Sequence, residues 1–217
     1  MKSQQKYWNS VAETKNFPTP FQMNEFKKHV SKDMKILDVG CGYGRVLNQL
    51  SEAGYKSLNG VDFSSGMIDR GKRLYPELDL SVNEGGRLPF KDRSMDAVLL
   101  IAVLTCIASS EDQKNLIKEI KRVLKPGGFL YINDYMLNSD ERNIRRYKKF
   151  SEKYWDYGVF ELPEGALVRH HSKEYVNFLL SDFDEIVFEE VVYTTMNGNK
   201  SNGCYFIGRL NGMKIQS

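Results

Sequence analysis

The chain has 217 residues, 41% of them hydrophobic, with 31 Lys and Arg against 28 Asp and Glu, a formal net charge of +3. That length suits one domain, or one domain with an inserted cap, and the apolar content rules out a disordered chain. So slight a positive excess makes no electrostatic case for nucleic acid or an anionic membrane as partner, and the longest apolar run, residues 97–104, is too short to cross a bilayer.

The start, MKSQQKYWNS, carries no apolar secretory stretch, and Cys41, Cys106 and Cys204 are too widely spaced for a disulfide framework or a metal pattern; both points suit a reducing cytoplasm. Residues 1–30 are rich in aromatics (Tyr7, Trp8, Phe17, Phe21, Phe26) and form a candidate lid. KILDV (35–39) is a short apolar strand that runs into glycines; 45–53 have helical spacing; 57–62 predict a second strand, 66–75 a second helix and 78–82 a weak third strand. The apolar run at 96–104 predicts a strand buried on both faces. Residues 111–124 predict an amphipathic helix with Leu116, Ile117, Ile120, Val123 and Leu124 on one stripe. It stops at Lys125-Pro126-Gly127-Gly128, where proline presets one turn angle and glycine supplies positive φ, and 129–134 come next as a fifth strand. Residues 139–171 fit no strand register and predict a helix and then a loop, an inserted cap over the carboxyl edge of the sheet. The segments 186–196 and 204–210 read as strands of an antiparallel hairpin across the turn-rich 197–203. The alternation predicts an α/β fold: a Rossmann-like, doubly wound sheet of seven strands, mostly parallel with a C-terminal antiparallel hairpin strand, in a single domain 1–217.

Between the first strand and helix stands Ile36-Leu37-Asp38-Val39-Gly40-Cys41-Gly42-Tyr43-Gly44. Glycine is needed there because the backbone must turn sharply and approach a ligand, which then meets free N–H groups at a helix start. Asp62 ends the second strand, beside the same crevice, where a carboxylate can accept from two ribose hydroxyls. The bland alternative is a plain strand-to-helix turn with a surface aspartate. A dinucleotide site wants G-x-G-x-x-G; here the pattern is D-x-G-x-G-x-G, from Asp38 through Gly40, Gly42 and Gly44, with Arg45 at the dinucleotide position.

These residues resemble the class I S-adenosylmethionine-dependent methyltransferases of the small-molecule type. ILDVGCGYGRV (36–46) is similar to their first motif, GVDFSSGMI (60–68) to the second, NEGGRLPF (83–90) to the third, SMDAVLL (94–100) to the fourth strand and RVLKPGGFLYI (122–132) to the fifth. The resemblance implies that S-adenosylmethionine is the cofactor. It implies that Asp38 and the Gly40–Gly44 loop hold its methionine end, Asp62 its ribose, and Phe63 and Met67 its adenine. Glu84 stands where the family has aspartate and would accept from the adenine amino group. Gly85 would offer its N–H to the ring, and Ile101 and Ala102 would lie beside the methionine portion. Glutamate for aspartate, and Gly85-Gly86, depart from the family pattern.

Methyl transfer from a sulfonium needs alignment and exclusion of water, with a general base only where the acceptor must lose a proton. Tyr7 and Trp8 can close over the cofactor, or form a helix stripe against the sheet. Arg169, His170 and His171 are the most chemical-looking cluster outside the motifs: His171 or His170 can take a proton and Arg169 can clamp an acid, or all three can cap the helix near Ser172. Thr105 and Tyr135, at the ends of the fourth and fifth strands, are further acceptor-site candidates, and Thr105 with Cys106 can equally be packing residues. Asp134 is placed beside Tyr135 at the same crevice. No metal is expected, because His29 is the only other histidine. RNIRRYKK (142–149) reads as a solvated helix face, and no N-P-P-[YF] comes after the fourth strand, so a small acceptor rather than nucleic acid is expected. An NAD(P)-dependent oxidoreductase and a non-catalytic S-adenosylmethionine-binding module are the alternatives; the oligomeric state is open.

Overall fold

A computed structural model describes residues 2–195 and 198–212. Seven strands form one sheet among these residues. They are β1 (Lys35–Val39), β2 (Ser57–Asp62), β3 (Asp79–Val82), β4 (Met95–Ile101), β5 (Leu124–Tyr135), β8 (Phe183–Thr194) and β9 (Lys200–Leu210), in the order β3-β2-β1-β4-β5-β9-β8. β1 pairs in parallel with β2 and β4, β2 with β3, and β4 with β5, while β9 runs antiparallel to both β5 and β8. Strand order reverses at β1 and β4. Such a switch point opens a crevice at the carboxyl ends of the strands, because the connections on either side leave in opposite directions.

The sheet is covered on both faces, which explains the unbroken apolar run of β4. Ala97, Val98, Leu99 and Leu100 are all fully buried. Val98 and Leu100 point into one core with Leu37, Ile132 and Ile120, and Ala97 and Leu99 into the other with Ile36, Leu47 and Tyr131. The strand ends at Ile101, earlier than its apolar pattern: Ala102 takes φ +56°, and residues 104–106 turn as a short 3-10 helix. The expected tight turn after helix α5 (Ser110–Val123) is instead a bulged start of β5, with Leu124 opposite Met95 and Gly127 at φ +74°.

Helices α3 (Arg45–Glu52) and α4 (Ser65–Leu74) come after the strands as their spacing predicts, and Ser64 caps α4 by accepting from the Met67 N–H at 3.2 Å. The segment 139–171 begins with helix α6 (Glu141–Tyr154), but its second half is not a loop. Val159–Glu161 (β6) and Leu167–Arg169 (β7) pair as a separate antiparallel ribbon, bringing Val159 and Phe160 into burial. Helix α7 (Lys173–Leu179) comes next, capped by Ser172. At the other end of the chain, helix α1 (Lys2–Val11) packs on α4, and α2 (Met23–Phe26) buries Phe26 beneath the sheet. Of the hairpin loop expected at 197–203, residues 200–203 are already strand, and Met196 and Asn197 lie outside the described residues.

Candidate functional site

A cavity of about 1010 Å³ opens at the carboxyl ends of β1, β2 and β4, and it is walled by the glycine loop, α1, the stretch after β3 and the 139–171 segment. Asp38, Gly40, Gly42, Asp62, Phe63, Met67, Glu84, Gly85, Ile101 and Ala102 all line it; Gly44, φ +83°, stands behind as the N-cap of α3. The loop conformation is one that L side chains avoid: Gly40 has φ +74° and Gly42 φ +55°. A Cβ on Gly42 would stand 2.7 Å from the Phe17 ring, and one on Gly40 2.6 Å from Val103.

Asp62 ties this loop to the end of β2. Its Oδ2 accepts the Gly42 N–H and its Oδ1 the Ser64 N–H, each at 2.8 Å. Burial raises its pKa, and those same N–H groups oppose the rise. Each oxygen keeps a second lone pair for a ligand. Asp38 is buried to 2% exposure, and its Oδ1 has no hydrogen-bond partner. Burial and the neighbouring Asp62 push its carboxyl up to about 7, with Arg45 pulling the other way. A buried carboxylate left unpaired is costly, so this oxygen is poised for a cationic or donor group. Glu84 is exposed on the loop after β3, and the Gly85 N–H is already donated to Asn83 Oδ1 at 3.0 Å, so the ring contact expected of Gly85 has a competitor in place.

Over this end lies α1. Tyr7 and Trp8 line the cavity, and neither the Tyr7 hydroxyl nor the Trp8 Nε1 has a partner. Burial and Glu164 push Tyr7 up to about 12, so it stays protonated at neutral pH. The rings do not form a stripe on the sheet. They continue as an aromatic series through Phe17 to Tyr43, with Trp8 to Phe17 at 6.0 Å and Phe17 stacked on Tyr43 at 5.5 Å. Several polar contacts fasten the segment: Gln5 Nε2 donates to the Phe63 carbonyl at 2.9 Å, Ser64 Oγ to Asn9 Oδ1 at 2.7 Å, and Arg70 to the Ala12 and Lys15 carbonyls at 2.8 and 2.7 Å. Gln4 reaches across to the backbone of Leu167, so α1 bridges the β2 side and the β6–β7 ribbon.

At the other end the structure redistributes the candidates. Tyr135 and His170 line the cavity and stack at 5.7 Å, whereas Asp134, one residue earlier on β5, points to the opposite face. There Asp134 accepts the Thr105 and Tyr135 N–H groups, and burial pushes its carboxyl up to about 7. Thr105 borders the cavity, but its hydroxyl is spent on the Arg169 carbonyl at 2.8 Å. Arg169 does not line the cavity and is not a clamp: its guanidinium is held by the Ala108 carbonyl, Ser110 Oγ and Asp156 at 2.8–3.0 Å. His171 also lies outside it. Gln113 Nε2 stands 2.9 Å from its Nε2 and the Tyr135 carbonyl 3.3 Å from its Nδ1, and burial lowers its pKa to about 3. The geometry therefore makes Arg169 and His171 structural, in place of the acid clamp and base expected of them. His170 faces the cavity, but burial and the charges of Arg146 and Arg142 hold it neutral, well below the usual histidine range.

Comparison with known proteins supplies the family. The Methyltransferase domain family matches residues 37–132. A demethylmenaquinone methyltransferase of Staphylococcus haemolyticus is 32% identical over 75% of this chain and 69% of its own, and one of Renibacterium salmoninarum is 35% identical over 46% and 41%. A SAM-dependent methyltransferase structure from Methanosarcina mazei superposes with a TM-score of 0.82 at 26% identity, covering 88% of this chain and 98% of that one. The chain belongs to the class I S-adenosylmethionine-dependent methyltransferase family. S-adenosylmethionine, not NAD(P), is therefore its cofactor, and the oxidoreductase alternative falls with the family assignment. This methyltransferase-family chain spans less than half the length of several of the curated relatives it matches. Its cavity fits the cofactor on its own chemistry, through the orphaned Asp38 Oδ1, Tyr7 hydroxyl and Trp8 Nε1.

Arg45 and Arg146 are among the cavity residues missed in the sequence. Arg45, read there only as a departure from a dinucleotide motif, reaches back to the Thr19 carbonyl at 2.6 Å and pins the N-terminal segment to the glycine loop. Arg146, read as part of a solvated face, lines the cavity from α6. The i, i+4 repeat of Arg142 and Arg146 was visible, but which face of α6 meets the cavity depends on the ribbon packed beside it.

Proposed function

We propose that this chain transfers the methyl group of S-adenosylmethionine to a small-molecule acceptor by in-line displacement. The single observation that carries the reading is the buried, unpartnered carboxylate oxygen of Asp38 beside the Gly40–Gly42 turn, in a cavity large enough for a nucleoside and a second molecule. When bound, the cofactor supplies an already activated methyl group on a sulfonium sulfur.

The protein's own part is binding, orientation and exclusion of water. Asp38 would hold the amino-acid ammonium and Asp62 the ribose hydroxyls, while Phe63, Met67 and Leu88 would enclose the adenine and Glu84 approach its amino group. Ile101 and Ala102 would border the methionine chain, with the positive φ of Ala102 held by its N–H to the Asn133 carbonyl at 2.7 Å. The aromatic series from Tyr7 to Tyr43 shields the site from water, which raises the strength of every charge interaction inside it. Tyr135 and His170 would flank the acceptor. Neither is a strong base at neutral pH, so the acceptor supplies its own nucleophilicity and these groups position it.

The names of the demethylmenaquinone relatives support a small acceptor, as does the missing N-P-P-[YF] after β4. Among the described residues no helix is long and apolar enough to cross a membrane. Free Cys41, Cys106 and Cys204 suit the cytoplasm. Incubation with methyl-labelled S-adenosylmethionine and a panel of phenol, thiol, amine and carboxylate acceptors tests the reading. S-adenosylhomocysteine formation that depends on an acceptor is expected. Tight cofactor binding with no turnover on any acceptor would support the binding-module alternative instead.

A further inference from the structure

We propose that the methyl acceptor carries a carboxylate or phosphate group and that Arg146, with Arg142 one helical turn away, binds it at the cap end of the cavity. The proposal rests on the methyltransferase reading and deepens it by naming a class of acceptor.

The other half-buried arginines of this protein hold protein acceptors, Arg45 among them through the Thr19 carbonyl. Arg122 is divided among Glu119, Asp92 and two backbone carbonyls; Arg70 donates to the Ala12 and Lys15 carbonyls; Arg169 is held by the Ala108 carbonyl, Ser110 and Asp156. Arg146 is different. It lines the cavity, its guanidinium lies 3.6 Å over the Phe160 ring, its polar neighbour is the Tyr147 hydroxyl rather than an acid, and its Nε–H is buried with no partner, as are those of Arg45 and Arg169. Among the described residues no carboxylate stands within ion-pair distance of it. Its immediate charged neighbour on the same face is another cation, Arg142, which also lines the cavity and meets Asp140 only at 3.9 Å.

A cation that has lost water without gaining an acid is unstable unless something else supplies the charge. Stacking on Phe160 orients the planar fork and leaves its edge for a planar or tetrahedral anion. The surroundings point the same way. His170 Nδ1 is taken up by the Tyr147 hydroxyl at 2.6 Å and the Asn138 Nδ2 at 3.2 Å, so the ring keeps its proton on Nε2, as a donor. Of the acids around this wall, Glu164 is paired with Lys15 at 3.5 Å, and Asp140, whose charge also acts on Arg146, accepts from Asn143 at the start of α6. Tyr135 and Phe160 give the same region an aromatic lining. The anion is held here and not methylated; the nucleophile is another atom of the same molecule.

Four ligands test this on protein already saturated with S-adenosylhomocysteine: benzoate, phenyl phosphate, benzamide and inorganic phosphate, monitored by calorimetry and thermal shift. At least one aromatic anion is expected to bind about tenfold or more tighter than benzamide, and the better of benzoate and phenyl phosphate tells carboxylate from phosphate. In Arg146→Gln that preference disappears, in Arg146→Lys part of it returns, and in the more exposed Arg142→Gln it falls about threefold. S-adenosylhomocysteine affinity stays within about twofold in all three, which shows that each variant is folded. Benzamide binding as well as both aromatic anions, or an anion preference that survives Arg146→Gln, overturns the proposal. Wild-type protein that takes up no S-adenosylhomocysteine removes the methyltransferase reading itself, a result seen before any anion is added.

Discussion

The two ends of the cavity are built by different means. At the β1–β2 end the cavity-lining groups belong to the backbone or sit directly on strand ends: the Gly40–Gly42 turn, Asp38 and Asp62. At the cap end they are long side chains brought in by α6 and the β6–β7 ribbon: Arg146, Phe160 and His170. Backbone-built sites need particular residue types at fixed spacing, so they leave a pattern. Side-chain-built sites depend on how a segment packs, so the chemically loudest residues there, Arg169 and His171, turn out to hold the cap together.

Substitutions can break that contrast. The largest effect is expected for Asp62→Ala, which removes a proposed ribose contact and strands the Gly42 and Ser64 N–H groups. S-adenosylhomocysteine affinity should fall about 100-fold in calorimetry, with a stability loss of about 2–5 kcal/mol in urea. His171→Asn should do the reverse: a loss of about 2 kcal/mol of stability with cofactor affinity unchanged.

That variant also carries a pH signature. The folded pKa of His171, about 3, lies below the unfolded value near 6.5, so its neutral burial favours the native state above that value and costs stability as pH falls from 6.5 toward 3. The stability advantage of wild type over His171→Asn should therefore shrink below pH 6.5, by about 1.4 kcal/mol per unit. An advantage that stays constant from pH 8 to 5 would mean that His171 is not buried neutral. The raised carboxyls of Asp38 and Asp134 act oppositely over the same range, which is why the difference between variants, not the wild-type curve, is the informative quantity.

Smaller effects sharpen the boundary between the two ends. Trp8→Ala opens the aromatic cover without touching a strand end, and should weaken S-adenosylhomocysteine about tenfold in calorimetry. Glu84→Ala, on an exposed loop, should cost about threefold or less. A Glu84 effect rivalling that of Asp62 would show that the loop after β3 orders on binding and shares the ribose end's importance.

Much of the fold was legible because each strand of the parallel half has one pattern and one boundary signal: KILDV ends in glycine, and VD ends at the acid that grips the loop. The end of β4 was not. Its apolar run continues to Leu104, and only the positive φ of Ala102 and the Asn133 carbonyl show where the chain leaves the sheet. The β6–β7 ribbon was read as a loop because three-residue strands carry too little periodicity to register. Asp134 and Tyr135 were both placed at the crevice, yet the alternation of a strand lets only one of them reach it.

Calorimetric titration of the wild-type chain with S-adenosylhomocysteine, alongside NAD, is the most direct measurement of whether Asp38, the glycine turn and Asp62 form a cofactor site. One-to-one binding of S-adenosylhomocysteine that is lost in Asp62→Ala, with no heat from NAD, is the predicted result. No binding at high micromolar S-adenosylhomocysteine, or equal binding by wild type and Asp62→Ala, would contradict it.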